Sequence, residues 1–226
     1  MDADRNQGDV RESAVSVAAG AVTLDGTLGL PPDARGVVLF AHGSGSGRHS
    51  PRNRHVARVL QEAGLATLLI DLLTPEEEAV DARTQELRFD IGLLAGRLAG
   101  ATDWLGCQPA TQHLRVGYFG ASTGAGAALA AAAERPEAVG AVVSRGGRPD
   151  LAGAALARVR APTLLIVGGN DMPVIGMNEE ALAQLRGATR LEIMPGATHL
   201  FEELGALDTV AGLARDRFAR YLTHGG

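Results

Sequence analysis

Short, continuously apolar runs recur along this chain at 37–41, 66–70, 116–119, 138–143, 163–167 and 191–194, and they restrict its fold more than any other feature. A strand with one face in water alternates apolar and polar residues, and these runs are too continuous to be half-exposed. Between them, 53–62, 84–105, 124–134, 178–185 and 206–222 carry apolar residues at three and four spacing, the period of a helix buried on one side. Buried strands alternating with crossover helices define an α/β architecture, a mostly parallel central sheet with helices on both faces. A pair of short strands across 14–29, with Asp25-Gly26 as a hairpin turn, is expected to add an antiparallel edge.

The 226 residues, 46% hydrophobic, suffice for one well-packed core but not for two full-sized enzymatic domains, so one domain is expected over 13–226 after a disordered start at 1–12. A net charge of −5 with 4% aromatics supplies neither the basic face nor the stacking platform that nucleic-acid binding needs. All 21 basic residues are arginine. Coding bias accounts for that, yet it excludes a P-loop lysine, a pyridoxal Schiff base and a Ser-x-x-Lys dyad.

Cys107 is the single cysteine, so no intrachain disulfide forms and an oxidising compartment is not implied. The first twelve residues lack the apolar core of a signal peptide or anchor, which makes a cytoplasmic location the expectation. The uncharged stretch 116–133 is long enough for a membrane span, but Gly117, Gly120, Gly124 and Gly126 fit a strand turning into a helix instead. No membrane partner is expected.

In parallel sheets the chemistry sits beyond the carboxyl ends of the strands. The run 116–119 leads into Gly120-Ala121-Ser122-Thr123-Gly124, a Gly-x-Ser-x-Gly sequence between strand and helix. There the serine occupies a tight turn, and side chains at the two glycine positions would collide with the neighbouring strand or helix. The run 163–167 ends in Gly168-Gly169-Asn170-Asp171, a carboxylate able to accept from an imidazole, although an aspartate there also serves as turn former or helix cap. The run 191–194 ends in a short loop carrying His199. The order Ser122, Asp171, His199, each beyond a different strand, is that of a nucleophile, its orienting acid and its general base. His49, His55, His113 and His224 lack this context and read as surface or structural residues.

The run 37–41 leads into His42-Gly43-Ser44-Gly45-Ser46-Gly47. A dinucleotide cradle fails because Arg48 stands where the third glycine belongs, and a metal site from His42, His49 and His55 lacks an acidic or cysteine partner. As an oxyanion loop the segment makes sense: the backbone N–H groups of Ser44 and Thr123 would meet a substrate carbonyl. Neither a metal nor a cofactor is called for.

The His42-Gly43 loop, the Gly-x-Ser-x-Gly elbow, Asp171 and the Ala197-Thr198-His199-Leu200-Phe201 segment together resemble α/β-hydrolases of the dienelactone-hydrolase-like group, from about Val37 to Leu222. Within it the chain is most similar to short hydrolase domains with an Ala-His-Gly-Ser-Gly-Ser start and a Ser-Arg-Gly-Gly segment, here Ser144 to Gly147. Dienelactone hydrolases proper carry a cysteine where Ser122 stands, which argues against dienelactone as substrate. Similar domains also occur joined to phosphoribosyltransferases, but no acidic pyrophosphate-binding segment stands out here and no transferase activity is assigned. Only residues 145–162 separate the sixth strand from the acid-bearing strand, so no lid domain is expected and small soluble esters fit best.

The resulting expectation is a serine carboxylesterase acting through an acyl-enzyme on small-molecule esters, as a monomer or homodimer. Lactone or thioester hydrolysis, or a non-catalytic hydrolase-fold binding module, are the alternatives. Arg145 could face the pocket and favour carboxylate-bearing substrates, or pair with a nearby acid. His42, Leu72, Leu73, Met172, Ile175 and Phe201 flank the strand ends and could line the substrate site, ordinary core packing being the equal alternative.

Overall fold

The apolar runs assemble side by side into one sheet. In the computed structural model, which describes residues 10–223, the strands are β1 (Arg11–Ala19), β2 (Val22–Leu30), β3 (Val37–Ala41), β4 (Ala66–Ile70), β5 (Val116–Ala121), β6 (Val139–Arg145), β7 (Thr163–Gly168) and β8 (Thr189–Met194). Their order across the sheet is β1-β2-β4-β3-β5-β6-β7-β8. β2 pairs antiparallel with β1 and with β4, and the remaining pairs are parallel.

The helices are α1 (Pro51–Glu62), α2 (Pro75–Thr84), α3 (Ile91–Cys107), α4 (Thr123–Glu134), α5 (Met172–Gln184) and α6 (Ala206–Leu222). On one face Val56 and Leu60 of α1 and Val210 and Phe218 of α6 pack with Val38, Phe40, Phe119 and Val143. On the other, Leu94 and Leu98 of α3 and Leu129 and Ala132 of α4 pack with Leu39, Leu68, Tyr118 and Val142. Both faces of each central strand are therefore covered, which is why its sequence is apolar without alternation. Each fully buried leucine or phenylalanine contributes about 1.5–3 kcal/mol relative to an exposed one.

The departures from expectation lie at the margins. The hairpin turns at Gly20-Ala21, and Asp25-Gly26 lies inside β2. Gly26 is there because it is wedged between neighbours: a Cβ would stand 3.1 Å from Val15 and 3.2 Å from Ile70. β8 is only partly buried, with Ile193 exposed, because an edge strand has a neighbour on one side alone. The helix expected at 84–105 divides into α2, a 3-10 turn (Leu87–Phe89) and α3. Asp90 accepts from the Leu93 N–H and so caps α3. α5 begins at Met172 rather than 178, with Asp171 as N-cap residue and a proline in its first turn. Between β6 and β7 the chain makes only 3-10 turns (Pro149–Arg158). The disordered start falls largely on residues outside the described ones, as does His224, while Arg11 and Glu12 pair with Leu30 and Gly29 in the sheet.

Candidate active site

The elbow after β5 is shaped by steric exclusion. Ser122 has φ 50° and ψ −122°, a conformation uncommon for a residue with a side chain, and it projects its hydroxyl from the turn into α4. A Cβ on Gly120 would lie 2.5 Å from Ala125 Cα, and one on Gly124 would lie 2.3 Å from the Ala41 carbonyl oxygen. Only glycine lets strand, turn and helix approach this closely. The strained backbone is held by three hydrogen bonds: the Ser122 N–H donates to the Arg145 carbonyl (3.2 Å), and its own carbonyl accepts from the N–H groups of Ala125 (3.0 Å) and Arg148 (3.1 Å).

Asp171 follows β7 at the N-cap position of α5, yet its side chain makes no capping bond. Instead its Oδ2 lies 2.6 Å from His199 Nδ1, and His199 Nε2 lies 3.3 Å from Ser122 Oγ. A carboxylate can only accept, so the shared proton belongs on Nδ1 and leaves Nε2 as an acceptor facing the hydroxyl. The His199 loop is itself tied down. Asn170 donates through its N–H to the Ala197 carbonyl (2.9 Å) and through its amide to that of Gly196 (2.9 Å). Glu203 Oε1 accepts the Thr198 N–H at 3.0 Å, and hydrogen bonding from Thr198 holds the Glu203 carboxyl below the usual range. Sequence reasoning missed both anchors; the Gly-Gly-Asn-Asp turn and a glutamate four residues past His199 are the only signals for them.

Ser44 and Thr123 come together across the loops after β3 and β5, their hydroxyls 2.8 Å apart. The Thr123 N–H stands at the start of α4, where no intrahelical acceptor exists, and among the described residues neither it nor the Ser44 N–H donates to a backbone group. His42 is buried and does not line the cavity beside Ser122. Its Nε2 accepts the Leu72 N–H at 3.0 Å, so Nδ1 carries the proton and donates to the Gly43 carbonyl at 3.0 Å. Burial lowers its pKa, and the neutral ring fastens the Ser44 loop to the end of β4.

A cavity of about 240 Å³ opens beside Ser122 and His199, lined also by Gly43, Ser44, Ser46, Ser50, Arg52, Asn53, Ala121, Arg145 and Leu200. Arg145 is thus brought to the site, while Leu72, Leu73, Met172, Ile175 and Phe201 are not part of this lining. Leu72 and Leu73 pack in the core with Leu94 of α3 and, with His42, Gly43 and Ser44, line a second, smaller cavity. Met172, first residue of α5, is exposed. Phe201, turned inward by its φ of 57°, is buried under α6 with its ring 6.0 Å from the Arg145 guanidinium. The lining from Ser50, Arg52 and Asn53 went unread because α1 starts at Pro51, two residues before the apolar spacing begins; the Ser50-Pro51 pair is the capping signal for it.

The sheet order, the strand-to-helix turn at Ser122 and the strand-end positions of Asp171 and His199 define an α/β-hydrolase. The chain belongs to the dienelactone hydrolase family, whose model matches residues 24–222. It is 70% identical to a solved structure of a dienelactone hydrolase from Anabaena variabilis, with a TM-score of 0.93 over 94% of this chain and 99% of that one. Est1E from Butyrivibrio proteoclasticus shares the fold at 15% identity, with a TM-score of 0.76 over 92% of this chain and 98% of its own. Two strains of Mycobacterium tuberculosis have relatives 58% identical over 213 residues that are provisionally named phosphoribosyl transferases. The alignment takes in 94% of this chain and 47% of those proteins, so the chain spans about half their length. Among the described residues no helix is long and apolar enough to cross a membrane.

Proposed function

We propose that this chain is a cytoplasmic serine carboxylesterase that hydrolyses small-molecule esters through an acyl-enzyme, as a monomer or homodimer and without cofactor, nucleic-acid or membrane partner. The observation that carries this reading is the unbroken line Asp171 Oδ2, His199 Nδ1, His199 Nε2, Ser122 Oγ, at 2.6 and 3.3 Å. Serine at its ordinary pKa is a weak nucleophile, and an imidazole with a free Nε2 lone pair is the base it needs.

In the proposed cycle Ser122 Oγ attacks the ester carbonyl while its proton passes to His199 Nε2. Asp171 stabilises the imidazolium without taking its proton. The Ser44 and Thr123 N–H groups hold the oxyanion; in other hydrolases the loss of one such donor costs about 10²–10³ in turnover. His199 then protonates the departing alcohol, and water releases the acid by the same steps. A cavity of about 240 Å³ supports short acyl or alcohol groups. Lactones and thioesters would pass through the same atoms, and their rates against matched esters rank the three.

The test is hydrolysis of p-nitrophenyl esters from acetate to decanoate by the wild type and by Ser122→Ala. A serine-dependent rate that falls with chain length is expected. Activity on no ester, lactone or thioester would leave a binding module, and activity surviving the substitution would remove Ser122 as nucleophile.

A further inference from the structure

The cavity beside Ser122 and His199 is also lined by two arginines, Arg145 and Arg52. Arg145, the last residue of β6, is only 7% exposed and lines the cavity, yet its Nε has no hydrogen-bond partner and no carboxylate pairs with it among the described residues. Its one aromatic neighbour, Phe201, sits 6.0 Å from the guanidinium. Desolvation is costly for such a group unless something pairs with it. Burial first, and then charge repulsion from Arg52, bring the pKa of Arg145 down to about 10. Among the described residues the only acid paired with either arginine is Glu202, bound to Arg52 at 3.2 Å and itself mostly exposed.

A second donor set converges from α1. Its N-terminus forms part of the same lining through Ser50, Arg52 and Asn53, and its first turn contains no acidic residue. Pro51 has no N–H, and the N–H groups of Asn53 and Arg54 are taken by Ser50 Oγ (3.4 Å) and the Ser50 carbonyl (2.9 Å). The Arg52 N–H remains at the positive end of the helix. Ser46 and Ser50 belong to the same lining.

We propose that this wall is a subsite for a phosphate group carried by the substrate, so that the natural ester is a phosphorylated one. The subsite itself stands on the geometry above; its role in substrate choice rests on the reading of Ser122 as nucleophile. A planar carboxylate is saturated by one guanidinium. Here the lining draws its donors from three segments, the end of β6, the start of α1 and the serine loop, which suits the several oxygens of a phosphate at a helix N-terminus. The dianion neutralises Arg145, the arginine that Glu202 leaves unpaired.

The test is calorimetric titration of the intact chain with inorganic phosphate and, separately, with acetate, on the wild type, Ser122→Ala, Arg145→Gln and Arg52→Gln. Phosphate is expected to bind the wild type and Ser122→Ala alike, at least 10-fold more weakly to Arg145→Gln and several-fold more weakly to Arg52→Gln, with acetate weaker than phosphate throughout. Equal phosphate affinity in wild type and Arg145→Gln, no phosphate binding at all, or acetate binding more tightly than phosphate would overturn the proposal. A melting temperature for Arg145→Gln at or above the wild type establishes that the lost affinity is not lost folding. Since binding is read without turnover, failure of the esterase reading shows separately, as phosphate binding without ester hydrolysis.

Discussion

Two walls of one small cavity are built on opposite electrostatic plans. On one, Asp171, His199 and Ser122 form a line in which each polar group has a partner, and the loops behind them are pinned by Asn170 and Glu203. On the other, Arg145 is buried with its Nε unpaired and, among the described residues, no carboxylate paired with it. A wall complete in itself is preorganised: its groups need no rearrangement when charge develops. A wall that carries uncompensated charge is stable only because the rest of the fold holds it, and it is completed by something that is not part of the chain. One wall reads as chemistry, the other as recognition.

The sharpest way to break this contrast is to remove the nucleophile. Ser122→Ala should lower kcat by about 10⁶ if the three residues act as a unit, with little change in melting temperature because a small, partly exposed hydroxyl is lost. Asp171→Asn should cost about 10⁴ in kcat, since an amide can donate to Nδ1 and so favours the wrong tautomer. Both are read from steady-state ester hydrolysis. Glu203→Gln, which weakens one anchor of the His199 loop, should lower kcat/KM by only about fivefold.

On the other wall the effect should change sign. Arg145→Gln removes a buried charge that no described residue neutralises, so stability should stay level or rise by about 1 kcal/mol, a melting shift of up to about 2–4 °C by calorimetry. A large fall would mean that Arg145 is a structural residue.

A smaller effect follows from His42, which burial keeps neutral. Its folded pKa lies below the ordinary 6.5, so the unfolded chain takes up a proton first as the pH drops. The stability tied to the neutral ring is present above pH 6.5 and is lost as the pH falls below it, by at most about 1.4 kcal/mol per unit. Melting curves between pH 7.5 and 5 should show that loss, and the stability gap between wild type and His42→Gln should narrow over the same range.

Most of the architecture was legible because burial on two faces leaves a simple mark: β3 to β7 are the continuous apolar runs themselves. β8 misleads because the edge of a sheet relaxes the same requirement. α2 escapes an apolar-spacing search because the only residue it buries is Asp81, yet Thr74 and Glu77 form a capping box that announces it. Asp25-Gly26 imitates a hairpin turn, but that glycine answers to the crowding of Val15 and Ile70.

At the site, the positions of Ser122, Asp171 and His199 could be read since strand ends fix them. The cavity lining could not, because it depends on the path of the 42–50 loop and on where α1 begins. Leu72 and Leu73 follow the end of β4 and pack with Leu94 of α3, reaching the Ser44 loop only in a second, smaller cavity, and Phe201 turns inward beneath Arg145. Apolar character alone does not separate a pocket wall from a core.

The most direct test of the central claim is labelling with a fluorophosphonate probe followed by peptide mapping. The account predicts one adduct per chain, on Ser122, absent in Ser122→Ala and slowed strongly in His199→Ala. Folded wild-type protein that takes up no label, or a label found on another residue, would contradict it.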